Sequence, residues 1–340
     1  MIEAETVARV AARFDLSAPV DTIAPFGTGL INDTFLVTTR REDYVVQRIN
    51  RSVFGDPRPL MQNVAIVSAH LAGRFVPELV AARAGGWIVT DADDTWRAWR
   101  RVPGAEACVD VTPAHAESAA HLLGRFHAGL ADLEPGRLTE TISHFHDPAR
   151  RVQRLRDAVA ADPFGRAERV EAEIDRALVE APLAALADEL VAGLPQRIAH
   201  NDAQLANILF RDDAAVCLVD LDTVMPTAWF WDVGDLMRTA STTAAEDDPD
   251  PQRQVADPRL VRAILDGYRA GVAPAVRPGS AQDDALAVSG ALVTYEQALR
   301  FLTDFVMGDV YYRTTRPDQN RDRARAQLAL LESMQGTVGS

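Results

Sequence analysis

The chain contains 340 residues, of which 49 are acidic and 35 are basic, and its formal net charge at pH 7 is −14. Every basic residue is an arginine, because the sequence contains no lysine. This absence excludes a Walker A loop, a Schiff-base enzyme and a protein kinase with the usual strand lysine, since each of them needs a lysine amine. The acidic balance argues against a nucleic acid partner, but it permits a small phosphate ligand whose charge a metal ion offsets.

The composition is typical of a globular protein with two domains or lobes. The start of the chain lacks the basic and apolar regions of a signal peptide, and no apolar run reaches the ~20 residues of a membrane helix. Cys108 and Cys217 are too few for a disulfide framework, so we expect free thiols. These features predict a cytoplasmic enzyme that has no membrane partner.

The first hundred residues are rich in strand patterns. A helix is predicted over 5–14 and another over 59–73, where apolar residues recur at helical spacing. Short alternating runs with β-branched residues predict six strands. These strands lie at 21–26, 34–39, 43–49, 76–82, 86–90 and 96–102.

Helical patterns dominate from about residue 113 onward. The predicted helices are 114–132, 148–161, 167–192, 259–271, 282–308 and 318–335. Two short strands, 206–210 and 215–220, interrupt them, and the acidic segment 244–257 is expected to be a mobile surface loop. Because β-rich sequence precedes α-rich sequence, we predict an α+β protein with an N-terminal lobe over 1–103 and a C-terminal lobe over 104–340.

One segment has the residue types needed for phosphoryl transfer. His200, Asp202 and Asn207 form the pattern H-x-D-x-x-x-x-N, and Asp220 follows at the end of an apolar strand. In this pattern Asp202 would accept the proton of the attacking hydroxyl, while Asn207 and Asp220 would hold Mg²⁺ across the phosphates of ATP. His200 would support the loop by hydrogen bonding. The alternative is a polar turn beside an ordinary strand end, which explains each residue alone but not the ordered set.

This segment resembles that of the aminoglycoside phosphotransferase and choline kinase superfamily, in which H-[GN]-D-x-x-x-x-N precedes an I-D-x-D strand. Asp222 completes the second pattern, and 227–236 resembles a downstream segment in which an aspartate such as Asp232 braces the catalytic loop. The resemblance implies a protein-kinase-like, two-lobed fold. Its small β-rich lobe would bind ATP, and its larger helical lobe would carry catalysis and substrate binding.

Further segments resemble the N-acetylhexosamine 1-kinases within this superfamily. These segments are 29–35, 44–50, 138–147, 219–226 and 300–311. The resemblance implies transfer of the γ-phosphate of ATP to the anomeric hydroxyl of N-acetylglucosamine or N-acetylgalactosamine. Two alternatives stay open: the same fold acting on an aminoglycoside, a free amino sugar or a choline-like acceptor, and a nucleotide-binding pseudokinase.

The strand that should carry the phosphate-binding lysine offers Gln47 and Arg48 instead. The helix that should supply its glutamate partner, 59–73, contains no acidic residue, so both halves of the usual ion pair are missing together. We expect either the Gln47 amide or the Arg48 guanidinium to contact a phosphate. Since successive strand residues point to opposite faces, only one of the two can face the cleft.

Two further places are candidates for nucleotide contacts. Gly27 and Gly29 lie in the turn between the first two predicted strands, where a nucleotide-covering loop belongs, although a tight hairpin turn explains them equally well. The backbone near Val102, between the lobes, is the expected position of the adenine ring.

The acceptor site is predicted around Asp202, Arg300 and Tyr311, the last two on resemblance. Arg300 also falls at helical spacing between Glu296 and Asp304, which alternatively predicts a surface salt-bridge ladder. His144 and His146 are a weak metal signal, and we favour a helix-entry turn capped by Asp147.

Overall fold

The computed structural model describes residues 2–27, 31–273 and 279–338. A five-stranded antiparallel sheet in the order β1-β2-β3-β5-β4 forms the N-terminal part. Its strands are β1 (Val20–Pro25), β2 (Asp33–Thr39), β3 (Asp43–Arg48), β4 (Val89–Asp91) and β5 (Asp94–Arg100). The predicted strand at 76–82 makes only single bridges, Leu79 with Trp99 and Ala82 with Phe14, so it is an irregular edge rather than a strand.

The two faces of this sheet have different coverings. Alternation places Val37, Val46 and Ala98 on one face, where they pack with α1 (Ala4–Ala11) in a small core. The opposite face contains Trp99 and is covered by α3 (Pro57–Leu71), which follows the single-turn α2 (Arg51–Phe54). This second face is the one that meets the helical part of the chain.

Helix α3 begins with Asp56, whose side chain accepts a hydrogen bond from the Arg58 backbone N–H, and with Pro57 at the first position. Its buried stripe, which includes Leu60, Val64 and Leu71, belongs to the same core cluster as many apolar residues of the helical part. The sheet and the helical part are therefore joined through one shared core rather than through a connecting segment alone.

Eight longer helices lie in the described residues of the helical part. They are α4 (Pro113–Gly129), α5 (Pro148–Ala161), α6 (Glu171–Val179), α7 (Pro182–Gly193), α8 (Phe230–Ala240), α9 (Pro258–Val272), α10 (Ser280–Val306) and α11 (Gln319–Val338). The single helix predicted over 167–192 is wrong: it divides before Pro182, whose ring cannot continue a helix. Helix α5 starts at the Asp147 cap as predicted, with Asp147 accepting from the Arg150 backbone N–H at 2.8 Å.

The segment 244–257, expected to be a mobile surface loop, is instead packed. Asp248 and Gln254 are buried, and Gln254 donates to the Ala245 carbonyl at 2.6 Å. Arg316, which precedes α11, binds the carbonyl of Asp247, so the segment is tied to the C-terminal part of the chain. Its charges form specific bonds, which the acidic composition alone could not indicate.

Helices α4 and α9 cross in close contact because glycines face each other. A Cβ atom on Gly124 would lie 2.6 Å from the Tyr268 carbonyl oxygen, and one on Gly271 would lie 2.3 Å from that of His121. The close crossing brings Tyr268 of α9 against His127 of α4.

Five short strands frame the catalytic segment. They are β6 (Glu106–Ala107), β7 (Arg197–Ala199), β8 (Ile208–Arg211), β9 (Ala214–Leu218) and β10 (Met225–Thr227). β6, β8 and β9 form one sheet, and β7 pairs with β10. In the described parts of the chain, no helix is long and apolar enough to cross a membrane.

Candidate active site

The loop between β7 and β8 carries the H-x-D-x-x-x-x-N residues and is held from behind by Asp232. Near the start of α8, Asp232 accepts hydrogen bonds from the backbone N–H groups of His200 at 2.7 Å and of Asn201 at 2.6 Å. Asn201 has a positive φ of 66°, a conformation that is uncommon for a residue other than glycine. The Asp232 bonds hold the backbone in this turn.

A buried chain of hydrogen bonds supports Asp232 in turn. His127 Nε2 lies 2.8 Å from the Asp232 carboxylate, and Nδ1 lies 2.9 Å from the hydroxyl of Tyr268. The His127 ring also stacks on Trp229 at 4.5 Å. Burial alone would raise the pKa of Asp232, but its bond to His127 and the His200 backbone donor outweigh burial and lower it. The carboxylate is therefore ionised and fully bonded.

The two ring nitrogens of His200 have different partners, which define its tautomer. Nε2 lies 2.9 Å from the carbonyl of Val219, so it carries the proton and donates. Nδ1 accepts from the backbone N–H of Asp202 at 3.3 Å. His200 thus links the catalytic loop to the strand that leads to Asp220, and the ring does not point its proton at a substrate.

Asp202 and Asn207 are brought together as the spacing predicts. The Asn207 amide nitrogen donates to the Asp202 backbone carbonyl at 2.8 Å and to its carboxylate at 2.9 Å. Gln204, which the sequence analysis missed, also donates to that carboxylate, at 3.1 Å. Asn207 uses its side-chain nitrogen for Asp202, and its side-chain oxygen Oδ1 has no partner in the described structure. That oxygen is the atom suited to a metal ion.

Asp220 is in the left-handed region at φ 62°, which turns its side chain out of the strand direction. Asp220 is solvent-exposed, and protein atoms on its other sides partly desolvate its carboxylate. This desolvation and the charges of Asp222 and Asp202 raise its pKa to about 8, while Arg97 opposes the rise. A carboxylate that is repelled by its neighbours and only partly hydrated is suited to binding a cation.

The donor set fits a hard divalent ion that is also bound by phosphate. Within the described residues, no three histidine, cysteine or acidic side chains are placed to hold a metal by themselves. Mg²⁺ is usually bound by one or two carboxylates together with water and substrate phosphates, because it dehydrates reluctantly. Asp220 and the carbonyl oxygen of Asn207 are the residues that would hold it.

The Asp222 carboxylate connects the N-terminal sheet to the segment that carries Asp220. One of its oxygens accepts from Nη1 of Arg97 on β5, and the other accepts from the Asn32 amide at 2.7 Å. Asn32 lies just before β2, and its own carbonyl oxygen accepts from the Asn50 backbone N–H at 3.0 Å. The sequence analysis missed Arg97 and Asn32 as site residues, since neither belongs to a local motif.

The expectation for Gln47 and Arg48 needs correction. Arg48 faces away from the cleft and binds Asp33 at 2.6 Å and Asp94 at 3.2 Å. Gln47 is on the cleft face, as alternation allows, but its carbonyl oxygen accepts from Arg97 at 2.9 Å and from a tryptophan at 3.1 Å. Its amide nitrogen donates to Thr34 at 3.1 Å. Gln47 therefore orients the Arg97 guanidinium and uses one N–H of its amide for Thr34. A phosphate contact through its second N–H stays a prediction.

The remaining nucleotide candidates lie in the connections after β1 and after β5. Gly27 follows β1 with φ 75°, and the Phe26 ring beside it is covered by the Arg101 guanidinium at 5.5 Å. Gly29 lies outside the described residues. Val102 follows β5 directly, in the connection to β6. Their contacts with a nucleotide stay predictions.

Arg300 of α10 lies among aromatic rings. Its guanidinium is 5.7 Å from the Phe145 ring centre, 5.8 Å from that of Tyr311 and 5.4 Å from that of Tyr312. Burial by itself would lower the Arg300 pKa, but attraction to Tyr312, Tyr311, Glu296 and Asp202 raises it above its usual value. Arg300 makes no ion pair among the residues that the structure describes. Tyr311 is 57% exposed at the same place.

The salt-bridge ladder considered for α10 is not formed. Glu296 is 2% exposed and accepts from His146 at 2.8 Å and from the Asp147 backbone at 3.0 Å. Asp304 instead accepts from the backbone N–H groups of Val310 and residues 311–312. The ring of His146 also contacts the carbonyl of Asn201 at 3.2 Å. His146 and Glu296, both missed as site residues, thus connect α10 to the catalytic loop.

Comparison with known proteins agrees with this geometry. Residues 22–279 match the phosphotransferase enzyme family. A spectinomycin phosphotransferase in complex with ADP and spectinomycin superimposes with a TM-score of 0.65 at 9% identity, covering 99% of this chain and 98% of that one. An amicoumacin kinase in complex with AMP-PNP and Ca²⁺ gives 0.64 at 14% identity, with 97% and 94% covered. A choline kinase from Streptococcus pneumoniae gives 0.57 at 15% identity, with 92% and 94% covered.

A strand-rich N-terminal part and a helical C-terminal part that carries the H-x-D-x-x-x-x-N loop define a two-lobed, kinase-like fold. The chain belongs to the phosphotransferase enzyme family, which includes the aminoglycoside phosphotransferases. It is accordingly a small-molecule kinase that uses a hydroxyl group as the phosphate acceptor. The predicted fold and superfamily are confirmed.

Proposed function

We propose that this kinase transfers the γ-phosphate of ATP, with Mg²⁺, to the anomeric hydroxyl of an N-acetylhexosamine and releases the sugar 1-phosphate. The observation that carries the proposal is the position of Arg300, a half-buried cation near Asp202 that lies among three aromatic rings and has no ion-pair partner among the described residues. A permanent positive charge beside the catalytic aspartate disfavours cationic acceptors by repulsion. A neutral sugar with many hydroxyl groups is not repelled by this charge.

Two acidic side chains near Asp202 and Arg300 are paired with cations. Asp235 forms an ion pair with Arg238 at 2.9 Å. Glu296 is bound by His146 at 2.8 Å and by Arg151 at 3.4 Å. A polyamine acceptor such as an aminoglycoside needs free carboxylates to bind it, so these pairs add support for a neutral acceptor. The aromatic rings near Arg300 provide the flat apolar surface on which sugar rings commonly pack.

The chemistry follows from the loop geometry. Asp202 accepts the proton of the acceptor hydroxyl while the hydroxyl oxygen forms a bond to the γ-phosphorus of ATP. The bond between the γ-phosphorus and the β,γ-bridging oxygen breaks, and ADP leaves. Gln204 and Asn207 hold the Asp202 carboxylate by hydrogen bonds, so it loses little freedom on reaction. A bound Mg²⁺ would offset the phosphate charge, and Asp220 and Asn207 are its proposed ligands. ATP and the sugar are thus the proposed partners.

The test is phosphate transfer from ATP to a panel of acceptors, with the product position determined by NMR. We expect transfer to N-acetylglucosamine or N-acetylgalactosamine at C1. Their methyl glycosides, in which the anomeric hydroxyl is blocked, are the matched controls and should be inert. Glucosamine, which keeps the anomeric hydroxyl but carries a positive charge, should react more slowly.

Three results would contradict the proposal in different ways. Turnover of the methyl glycosides would move the reacting hydroxyl to another carbon. Preference for aminoglycosides or choline over the N-acetylated sugars would favour the cationic-acceptor alternative. Binding of nucleotide without transfer to any acceptor would favour a pseudokinase.

A further inference from the structure

The chain must hold the phosphates of a nucleotide without a lysine, and one arginine is placed for this task. Arg97 is on β5, directly beside Gln47 in the register of the sheet, and its side chain is fully buried. It lies on the cleft face of the sheet, and its Nη1 pairs with Asp222, two residues after the proposed metal ligand Asp220. Arg97 is thus a permanent cation at the position where phosphates and metal would meet.

The hydrogen bonds of Arg97 fix its position, but one of its three guanidinium nitrogens has no hydrogen-bond partner in the described structure. Nε donates to the Gln47 carbonyl oxygen at 2.9 Å, and Nη1 forms the ion pair with Asp222. Nη2 is buried and has no acceptor within the described structure. An unpaired buried donor on a charged group is costly and rare, and a missing anionic ligand is one of its ordinary explanations.

We propose that Arg97 takes the place of the absent strand lysine and that its Nη2 donates to a phosphate oxygen of the nucleotide. This inference rests on the proposed nucleotide-dependent function, although not on the identity of the acceptor. The Gln47 amide, in the strand position where the lysine was expected, then serves to orient the guanidinium. The usual strand-to-helix ion pair is replaced by a strand-to-loop pair between Arg97 and Asp222.

The test compares nucleotides with and without phosphates, in the absence of metal. Binding of ADP and of adenosine is measured by calorimetry for the wild type, Arg97→Gln and Arg97→Lys. Loss of one charge-assisted bond should weaken ADP binding by about tenfold to a hundredfold in Arg97→Gln. Adenosine, which has no phosphate, should bind this variant as it binds the wild type. Arg97→Lys should recover much of the ADP affinity.

Two controls keep the test independent of folding. Arg97→Gln leaves Asp222 without its cation and can destabilise the protein, so the double variant Arg97→Gln/Asp222→Asn removes both charges. It should show the same selective loss of ADP binding. Arg9→Gln removes a guanidinium of the same lobe that pairs with Asp91 at 2.7 Å on the surface, and it should bind both ligands normally.

Equal weakening of ADP and adenosine would overturn the proposal, because Arg97 would then act only by joining the two lobes. Unchanged ADP binding in folded Arg97→Gln would also overturn it. A wild-type protein that binds ADP but transfers phosphate to no N-acetylated sugar would refute the proposed acceptor and leave the Arg97 contact standing. A wild-type protein that binds no ADP would refute both proposals.

Discussion

Asp232 and His127 form a fully buried hydrogen bond of 2.8 Å directly behind the catalytic loop. The same carboxylate binds two consecutive backbone N–H groups of that loop, at His200 and Asn201. Three donors therefore converge on one ionised group. The shape of the loop depends on this carboxylate, which itself does not touch the reacting atoms.

Asp232→Asn should therefore impair both stability and turnover. The asparagine NH₂ group cannot accept a hydrogen bond, so at least one of the three buried donors loses its partner. Breaking a buried charged network costs about 3–5 kcal/mol. We expect the free energy of unfolding to fall by about that amount, and kcat to fall in the folded fraction, as measured by chemical denaturation and steady-state assays.

Asp322→Asn is the control for this variant, since Asp322 is a buried aspartate on α11 that pairs with Arg316. It should lower stability while leaving kcat unchanged. Equal kcat values in Asp232→Asn and the wild type would refute the bracing role.

Asp202→Asn should abolish proton transfer while nucleotide binding persists. Loss of a general base typically reduces rates by about 10²–10⁴-fold. We expect a fall of kcat in that range, with the dissociation constant of ADP within about threefold of the wild-type value. Gln204→Ala, which removes only a donor to the Asp202 carboxylate, should have a smaller effect on kcat. Retained turnover in Asp202→Asn would contradict the base assignment.

Arg300→Ala should act on the acceptor rather than on ATP. Removal of a charged hydrogen-bond donor from a sugar site costs about 1.5–3 kcal/mol, so we expect kcat/KM for the sugar to fall about tenfold or more. KM for ATP should be unchanged, and discrimination against glucosamine should weaken because the repelling charge is gone. The exposed Arg154 on α5 provides the control, Arg154→Ala. An effect confined to the KM for ATP would show that Arg300 acts at the nucleotide site and would contradict its assignment to the acceptor site.

The lowered pKa of Glu296 leads us to expect that the free energy of unfolding depends on pH. Burial would raise its pKa, but His146 and Arg151 outweigh burial and lower it below the ordinary value of 4.5. A lowered carboxyl pKa stabilises the folded state above the unfolded pKa, and this contribution is lost as the pH falls through the folded pKa. Glu296→Gln should therefore be less stable than the wild type by about 3 kcal/mol at pH 7.

The difference between Glu296→Gln and the wild type should shrink as the pH falls below about 4.5. Denaturant unfolding at a series of pH values measures it. A difference that stays constant with pH would show that Glu296 does not contribute through its charge.

Asp220→Asn tests the metal site in the absence of metal. The pKa of Asp220 is raised to about 8, so its ionised form is disfavoured in the folded protein. The nucleotide-free wild type should lose stability as the pH rises toward 8, and the asparagine variant should not. In EDTA at pH 8.5 we expect Asp220→Asn to have the higher Tm, because the substitution removes a charge that Asp222 and Asp202 repel. Mg-ATP should raise Tm in the wild type but not in the variant, and the reverse would refute the assignment.

The catalytic segment could be predicted from the sequence because its chemistry is local in the chain. Asp202 and Asn207 are five residues apart, and their hydrogen bonds follow from one loop. Helix α5 and its Asp147 cap were likewise predictable, since a cap needs only its own first turn. Hydrophobic periodicity predicts helices and strands wherever one face of the element is buried.

The role of Arg97 could not be predicted from local sequence patterns. Arg97 and Asp222 are 125 residues apart, and Arg97 meets Gln47 only because β5 lies next to β3 in the sheet. Alternation correctly predicts that Gln47 and Arg48 face opposite sides, but it cannot tell which neighbouring strand supplies the charge. His146 and Glu296, 150 residues apart, were hidden for the same reason.

The absence of lysine, visible in the sequence alone, determined that any side-chain cation holding phosphate here is an arginine or a histidine. Which residue occupies the place was decided only by tertiary structure. A buried charge is tolerated where partners from distant parts of the chain surround it, and those partners meet only when the fold is complete. Arg97 is tolerated in the protein interior because Gln47 and Asp222 converge on it.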